Sequence, residues 1–164
     1  MPEYRQESAD LDATNLRVAV VTSSYHGDVT GPLLSGATET FLQAGGLPDN
    51  LVCLTCPGAW ELAVSVAAVR EHVHPGVDAI VALGCVIRGE TTHDRWINQA
   101  VCQSLAAFSV QHVIPVSLGL LTCDTAAQAA ARAGGARGNK GAEAMAAAIT
   151  QANLIRAMRT AVTP

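Results

Sequence analysis

Residues 84–93, reading Gly84-Cys85-Val86-Ile87-Arg88-Gly89-Glu90-Thr91-Thr92-His93, join an anion site to a proton-transfer group. An apolar run, Ala79 to Val86, feeds into a glycine-flanked turn, and a helical pattern starts where the turn ends. The first turn of a helix carries unclaimed N–H groups and a partial positive charge. A glycine just before it lets the backbone close on an anion such as phosphate. His93 on that turn adds an imidazole able to move protons near neutral pH.

Other residue types with chemical potential are weighed against plainer readings. Cys53 and Cys56 form a C-x-x-C, but they end a strand, where residues three apart point to opposite faces, and no second pair exists. Residues Gly134 to Gly141 are glycine-rich but fail the phosphate-loop pattern, because Asn139 separates glycine from lysine and no Ser or Thr follows. They read as a helix-to-helix turn carrying Arg137 and Lys140, with Arg132 just before it; a solvated basic loop is the plain reading of this cluster. His72 and His74 fit a helix end, and His112 a surface position at the next one. His26 is open to a binding role. Tyr25 follows Ser23-Ser24 where the chain leaves the core, so its ring could stack on a flat heterocycle. Glu61 lies in a helix's first turn after Pro57-Gly58, where a carboxylate suits the helix dipole or accepts from ligand hydroxyls.

The elements that position these groups follow from periodicity. Strands are read at Leu16–Thr22, Leu51–Thr55, Ala79–Val86 and Pro115–Leu121. Helices are read from a Thr30 cap to about Ala44, ended by Gly45-Gly46, and from about Ala59 to Glu71. Ile97, Val101, Leu105 and Phe108 mark a third helix, an Asp124 cap a short fourth, and Met145, Ile149, Ala152 and Ile155 a last one. Strands alternating with helices imply an α/β three-layer sandwich, with a mainly parallel four-stranded sheet flanked by helices on both faces in flavodoxin-like fashion. Ligands in such folds sit at the carboxyl ends of the strands. Residues 1–15 are expected to form a flexible arm, 16–158 one domain and 159–164 a tail.

Composition narrows the function. The chain has 164 residues, 49% of them hydrophobic but only 4% aromatic, so small aliphatic residues must pack the core and close helix contacts are favoured. A net charge of −4 argues against nucleic acid as the partner. No apolar run is long enough to span a membrane, and the acidic start is not a signal peptide, so a cytoplasmic location with no membrane partner is expected. Five irregularly placed cysteines suit a reducing compartment, and no metal site is expected.

Taken together, four motifs resemble the 6,7-dimethyl-8-ribityllumazine synthases over about Leu16 to Met158. They are Pro57-Gly58-Ala59-Trp60-Glu61; Ala82 to Gly89 with Thr91-Thr92-His93; Gly119-Leu120-Leu121-Thr122 with Asp124-Thr125; and Arg132-Ala133-Gly134 with Gly138-Asn139-Lys140-Gly141-Ala142-Glu143. The resemblance implies condensation of 5-amino-6-(D-ribitylamino)uracil with 3,4-dihydroxy-2-butanone 4-phosphate in riboflavin biosynthesis, without cofactor or metal. It implies His93 for proton transfer. For the pyrimidine and its ribityl chain it implies Tyr25, Ala59, Trp60, Glu61, Cys85, Val86, Ile87, Leu118 and Lys140. For phosphate it implies Glu90, Thr91 and Arg132, the last from a neighbouring subunit. Two residues depart from the family. Tyr25 stands where phenylalanine or tryptophan is usual, and Leu118 where many members have phenylalanine, with a loss of stacking worth ~1 kcal/mol.

The resemblance further implies a homo-oligomer with sites at subunit interfaces. This is a pentamer at least, with an icosahedral shell of pentamers expected from the uninserted turn between the last two helices; riboflavin synthase is a candidate partner. Two other readings compete. One is a non-catalytic shell-forming or lumazine- and flavin-binding protein on the same scaffold. The other is an FMN-binding module, for which Ser23-Ser24-Tyr25-His26-Gly27 is a poor phosphate loop.

Overall fold

Four strands carry the apolar runs: β1 (Val18–Ser23), β2 (Leu51–Cys56), β3 (Ala79–Ile87) and β4 (Val116–Cys123). The structure is a computed structural model and describes residues 11–161. The four strands pair in parallel in the order β2-β1-β3-β4. The helices are α1 (Gly27–Gln43), α2 (Leu62–His72), α3 (His93–His112), α4 (Ala126–Arg132) and α5 (Lys140–Ala161). A small antiparallel ribbon, β5 (Ala133–Gly135) with β6 (Gly138–Asn139), joins α4 to α5 where the sequence suggested a plain turn. The three-layer α/β sandwich expected from the alternation of elements is the one observed.

Side chains alternate across a strand, so each strand feeds two layers. Val18, Val20, Val81 and Leu83 join Leu33 and Phe41 of α1 and Met145 and Ile149 of α5. Ala19, Val21, Ile80 and Ala82 join Leu62 and Val66 of α2 and Val101 and Leu105 of α3. Burial on both faces is why β1 and β3 read as continuous apolar runs. The chain steps from β1 out to β2, then back across β1 to β3 and β4. Parallel crossovers are right-handed. The reversal therefore puts α1 on one face and α2 and α3 on the other, and leaves a crevice between the carboxyl ends of β1 and β3.

Small residues set the distance between layers. A Cβ on Gly141 would run into the backbone of Leu33, so α5 meets α1 at glycine. Asn139 secures that contact. Its Oδ1 accepts from the N–H groups of Gly141 (2.9 Å) and Ala142 (3.2 Å), and its Nδ2 donates to Pro32 O (2.9 Å). One side chain thus caps α5 and ties it to α1.

Several local expectations are corrected. α1 starts three residues before Thr30, because the backbone N–H groups of Val29 and Thr30 both find His26 O at 2.9 Å, and Thr30 is buried inside the helix. α2 starts at Leu62 rather than Ala59, with Glu61 at its cap position. α4 is capped by Thr125, whose hydroxyl accepts from Gln128 N at 3.2 Å, rather than by Asp124. Gly45 ends α1 as expected, at φ 84, where Gly45 N and Gly46 N return to Leu42 O and Phe41 O.

Of the arm, residues 1–10 lie outside the described residues, but 11–15 are held. Ala13 is buried and donates to Ala44 O, and Asp12 O and Asn15 O accept from Asn153 and Arg156 of α5. The last helix continues to Ala161, past the expected start of the tail. Replacing Gly141 by Ala is expected to lower stability by about 2 kcal/mol, because rigid backbone rather than a yielding side chain opposes the new methyl. A shift of the urea midpoint relative to wild type measures it.

Candidate active site at the carboxyl edge of the sheet

The turns after β1 and β2 are bonded to each other. Ser24 N donates to Cys56 O (2.8 Å) and Tyr25 N to Pro57 O (3.0 Å), with Ser24 Oγ on the same carbonyl (3.1 Å). These bonds continue the β1–β2 ladder past the strand ends and hold Tyr25 beside the Pro57-Gly58 turn. Tyr25 is 67% exposed, and its ring meets the His26 ring edge-on at 4.7 Å. His26, at φ 58 in the left-handed region, turns the chain from β1 into α1. On the β2 side, a Cβ on Gly58 would stand 3.2 Å from Glu61 Oε2. The Glu61 carboxylate therefore lies over the Pro57-Gly58 turn, next to buried Ala59 and exposed Trp60.

The turn after β3 carries the second group. Cys85 is buried, Val86 and Ile87 are half-buried, and the chain then leaves the core. Arg88 N donates to Cys123 O (2.9 Å), and its guanidinium lies 3.7 Å from Asp124, which joins this turn to the end of β4. Thr92 occupies the cap position of α3, yet its side chain caps nothing. Arg95 N donates to Thr92 O at 3.2 Å, and no side chain caps the N–H groups of His93 and Asp94 in the first turn of this 20-residue helix, where an anion is favoured. Thr91 Oγ1 is hydrogen-bonded to His93 Nδ1, which orients the ring and leaves Nε2 as the nitrogen free to exchange a proton. Glu90, Thr91 and His93 are all exposed.

The third group surrounds a cavity of about 480 Å³ at the end of β4, lined by Thr122, Cys123, Gln128, Arg132 and Arg137 among others. Of the basic residues near Gly134 to Gly141, Arg132 and Arg137 share this cavity, whereas Lys140 pairs with Glu143 at 2.9 Å. In the sequence Arg137 is only part of a basic stretch; the fold of the ribbon, which periodicity does not reveal, brings it beside Arg132. Leu118 is not with the others. It pairs with Ala82 in mid-strand and is 43% exposed on an edge strand. Five residues separate it from Cys123, so it sits ~16 Å below the carboxyl edge of its own chain.

The cysteines are free thiols, with Cys53 exposed and Cys56 buried on opposite faces of β2. Among the described residues no group of His, Cys, Asp and Glu could hold a metal ion, and no helix is long and apolar enough to cross a membrane. Burial pushes the Cys85 thiol up to about 11, with Cys123 and Asp28 adding smaller contributions in the same direction.

The sequence model of the 6,7-dimethyl-8-ribityllumazine synthase family matches residues 15–156. The chain is 38% identical over 156 residues to the 6,7-dimethyl-8-ribityllumazine synthase of Porphyromonas gingivalis, covering 95% of each chain. It is 41% identical over 143 residues to that of Rhodopirellula baltica, covering 87% of this chain and 91% of the relative. It is also 41% identical over 152 residues to that of Anaeromyxobacter dehalogenans, covering 92% of both.

The raised Cys85 thiol stays protonated at neutral pH, and the thiolate is the reactive form. Cys85 is therefore expected to resist iodoacetamide at pH 8 in the native protein and to react after denaturation. Peptide mass mapping reads both states; rapid native labelling of Cys85 would contradict its burial.

Proposed function

The chain belongs to the 6,7-dimethyl-8-ribityllumazine synthase family, and from that premise we propose how its residues divide the work. The protein condenses 5-amino-6-(D-ribitylamino)uracil with 3,4-dihydroxy-2-butanone 4-phosphate, releasing phosphate and water, in riboflavin biosynthesis. The observation that carries the division is the uncapped start of α3 with His93 in its first turn, at the same sheet edge as Tyr25 and Glu61.

Tyr25 stacks on the pyrimidine, and its hydroxyl, solvent-exposed here, needs no buried partner. Glu61 accepts from the ribityl hydroxyls beside Ala59 and Trp60. Cys85, Val86 and Ile87 offer backbone groups to the heterocycle where β3 leaves the core, and Lys140 lies toward it from the start of α5. The backbone at Glu90 and Thr91 and the open end of α3 receive the phosphate, with Arg132 as its cation. The substrate amine attacks the ketone, forming a carbinolamine that loses water to an imine. Phosphate leaves, and ring closure expels further water. Holding the two substrates together is the largest contribution. His93 Nε2 shuttles protons for a further ~10²–10⁴-fold. A non-catalytic binding protein is not favoured, because His93, Arg132 and Lys140 are all present.

The active unit is a homopentamer. Leu118 supports this: it is too far below its own crevice to touch the heterocycle there, so that contact requires a neighbour. Trp96 (70% exposed) and Val110 (81%) on α3 add apolar surface that assembly would cover. The uninserted ribbon between α4 and α5 favours closure of pentamers into an icosahedral shell, and riboflavin synthase is a candidate partner of that assembly.

His93→Ala is expected to lower kcat by ~10²-fold with assembly unchanged; a loss within threefold would move proton transfer elsewhere. Glu61→Gln is expected to raise KM for the ribityl substrate alone, and Arg132→Ala that for the butanone phosphate alone. Light scattering in phosphate buffer at neutral pH is expected to show the shell. An active free pentamer would overturn the shell only, whereas an active monomer would overturn the shared site.

A further inference from the structure

We propose that Arg137 is a second phosphate-binding residue, presented together with Arg132 from the cavity at the end of β4 to the substrate phosphomonoester held at the start of a neighbouring subunit's α3. The inference rests on the reading of Arg132 as the phosphate cation and extends it to a residue on a different element.

Backbone geometry brings the two together. α4 ends at Arg132, and the chain then folds back on it through the ribbon. Arg137 N donates to Ala131 O at 2.8 Å, so the residue is pinned beside the last turn of α4. Gly135 makes the fold-back possible, since a Cβ there would stand 2.8 Å from Ala130 O and 2.9 Å from Ala131 Cα. Gly138 completes the reversal at φ 79, a conformation that L side chains rarely adopt. The result is one cavity lined by both Arg132 and Arg137, together with Thr122 and Gln128.

Charge accounting points to the occupant. Arg88 pairs with Asp124, Lys140 with Glu143 and Arg156 with Asp78. Among the described residues no carboxylate lies within ion-pair distance of Arg132 or Arg137. Asp124, which directly follows the cavity residue Cys123, is taken up by Arg88. Two like charges held in one cavity repel each other until an anion enters. A phosphomonoester carries a charge of about −1.5 to −2 at neutral pH and presents three acceptor oxygens, which match two planar forks of donors.

The test compares Arg137→Ala, Arg137→Gln, Arg137→Lys and Arg132→Ala in the assembled enzyme, with inorganic phosphate as a competing probe. Arg137→Ala is expected to raise KM for the butanone phosphate roughly tenfold and to weaken phosphate inhibition by a similar factor. That is the low end for a charge-assisted hydrogen bond, because both side chains are exposed to solvent and salt. The change in kcat is expected to stay within about twofold, KM for the ribityl substrate to be unchanged, and Arg137→Lys to recover part of the loss, since lysine keeps the charge but not the fork. Arg137→Gln retains a long polar side chain and serves if the alanine variant fails to fold. If Arg132→Ala loses phosphate binding while every Arg137 variant keeps it, Arg132 acts alone; the inference is overturned and the reading beneath it stands. If Arg132→Ala also keeps it, that reading falls and the inference with it. Equal damage to both substrates' KM values would mark a structural role and overturn the proposal as well.

Discussion

A parallel sheet buried on both faces forces each crossover helix to begin at the same edge. Every strand here ends at that edge, and α1, α2, α3 and α4 each start within a few residues of a strand's carboxyl end. Helix N-termini bring N–H groups that need partners and partial positive charge that favours anions. α1 satisfies its first groups on His26 O, and α4 uses the Thr125 side chain. α3 has no capping side chain; Arg95 N returns to Thr92 O, and the helix start beside His93 keeps the partial positive charge that favours an anion. The reversal of strand order then opens the crevice into which these turns point.

Close packing and charge placement are linked through glycine. Gly141 lets α5 touch the Leu33 backbone, and Asn139 closes that junction from the last position of the ribbon. The same ribbon carries Arg137 back against α4. Bulk at Gly135 or Gly141 would act on the helix junction and on the cations together. The abundance of small residues in a core poor in aromatics is therefore more than a packing substitute. It sets the helix spacing on which the basic wall of the cavity depends.

Much of the architecture was legible along the chain. The apolar runs marked the strands within about two residues, most cleanly in β1 and β3, which are buried on both faces. Gly45-Gly46 marked the end of α1, and the turn before His93 announced a helix start. Helix starts elsewhere were misjudged. At Thr30, Ala59 and Asp124 the residue type suited a cap or first turn, but competing backbone and side-chain bonds at His26, Glu61 and Thr125 decided the boundary.

The sequence by itself determined the fold class, the order of the elements and the family, because periodicity and local motifs are properties of neighbours along the chain. Only the tertiary structure decided which basic residues lie together. Arg132, Arg137 and Lys140 look alike in a row of residues. Hydrogen bonds from Arg137 to α4 and from Asn139 to α1, with contacts only glycine allows, put two of them on one cavity and leave the third paired with Glu143. Leu118 makes the same point from the other direction: its mid-strand place was legible, but its pairing with Ala82 on an edge strand follows from sheet order and register, which no local pattern encodes.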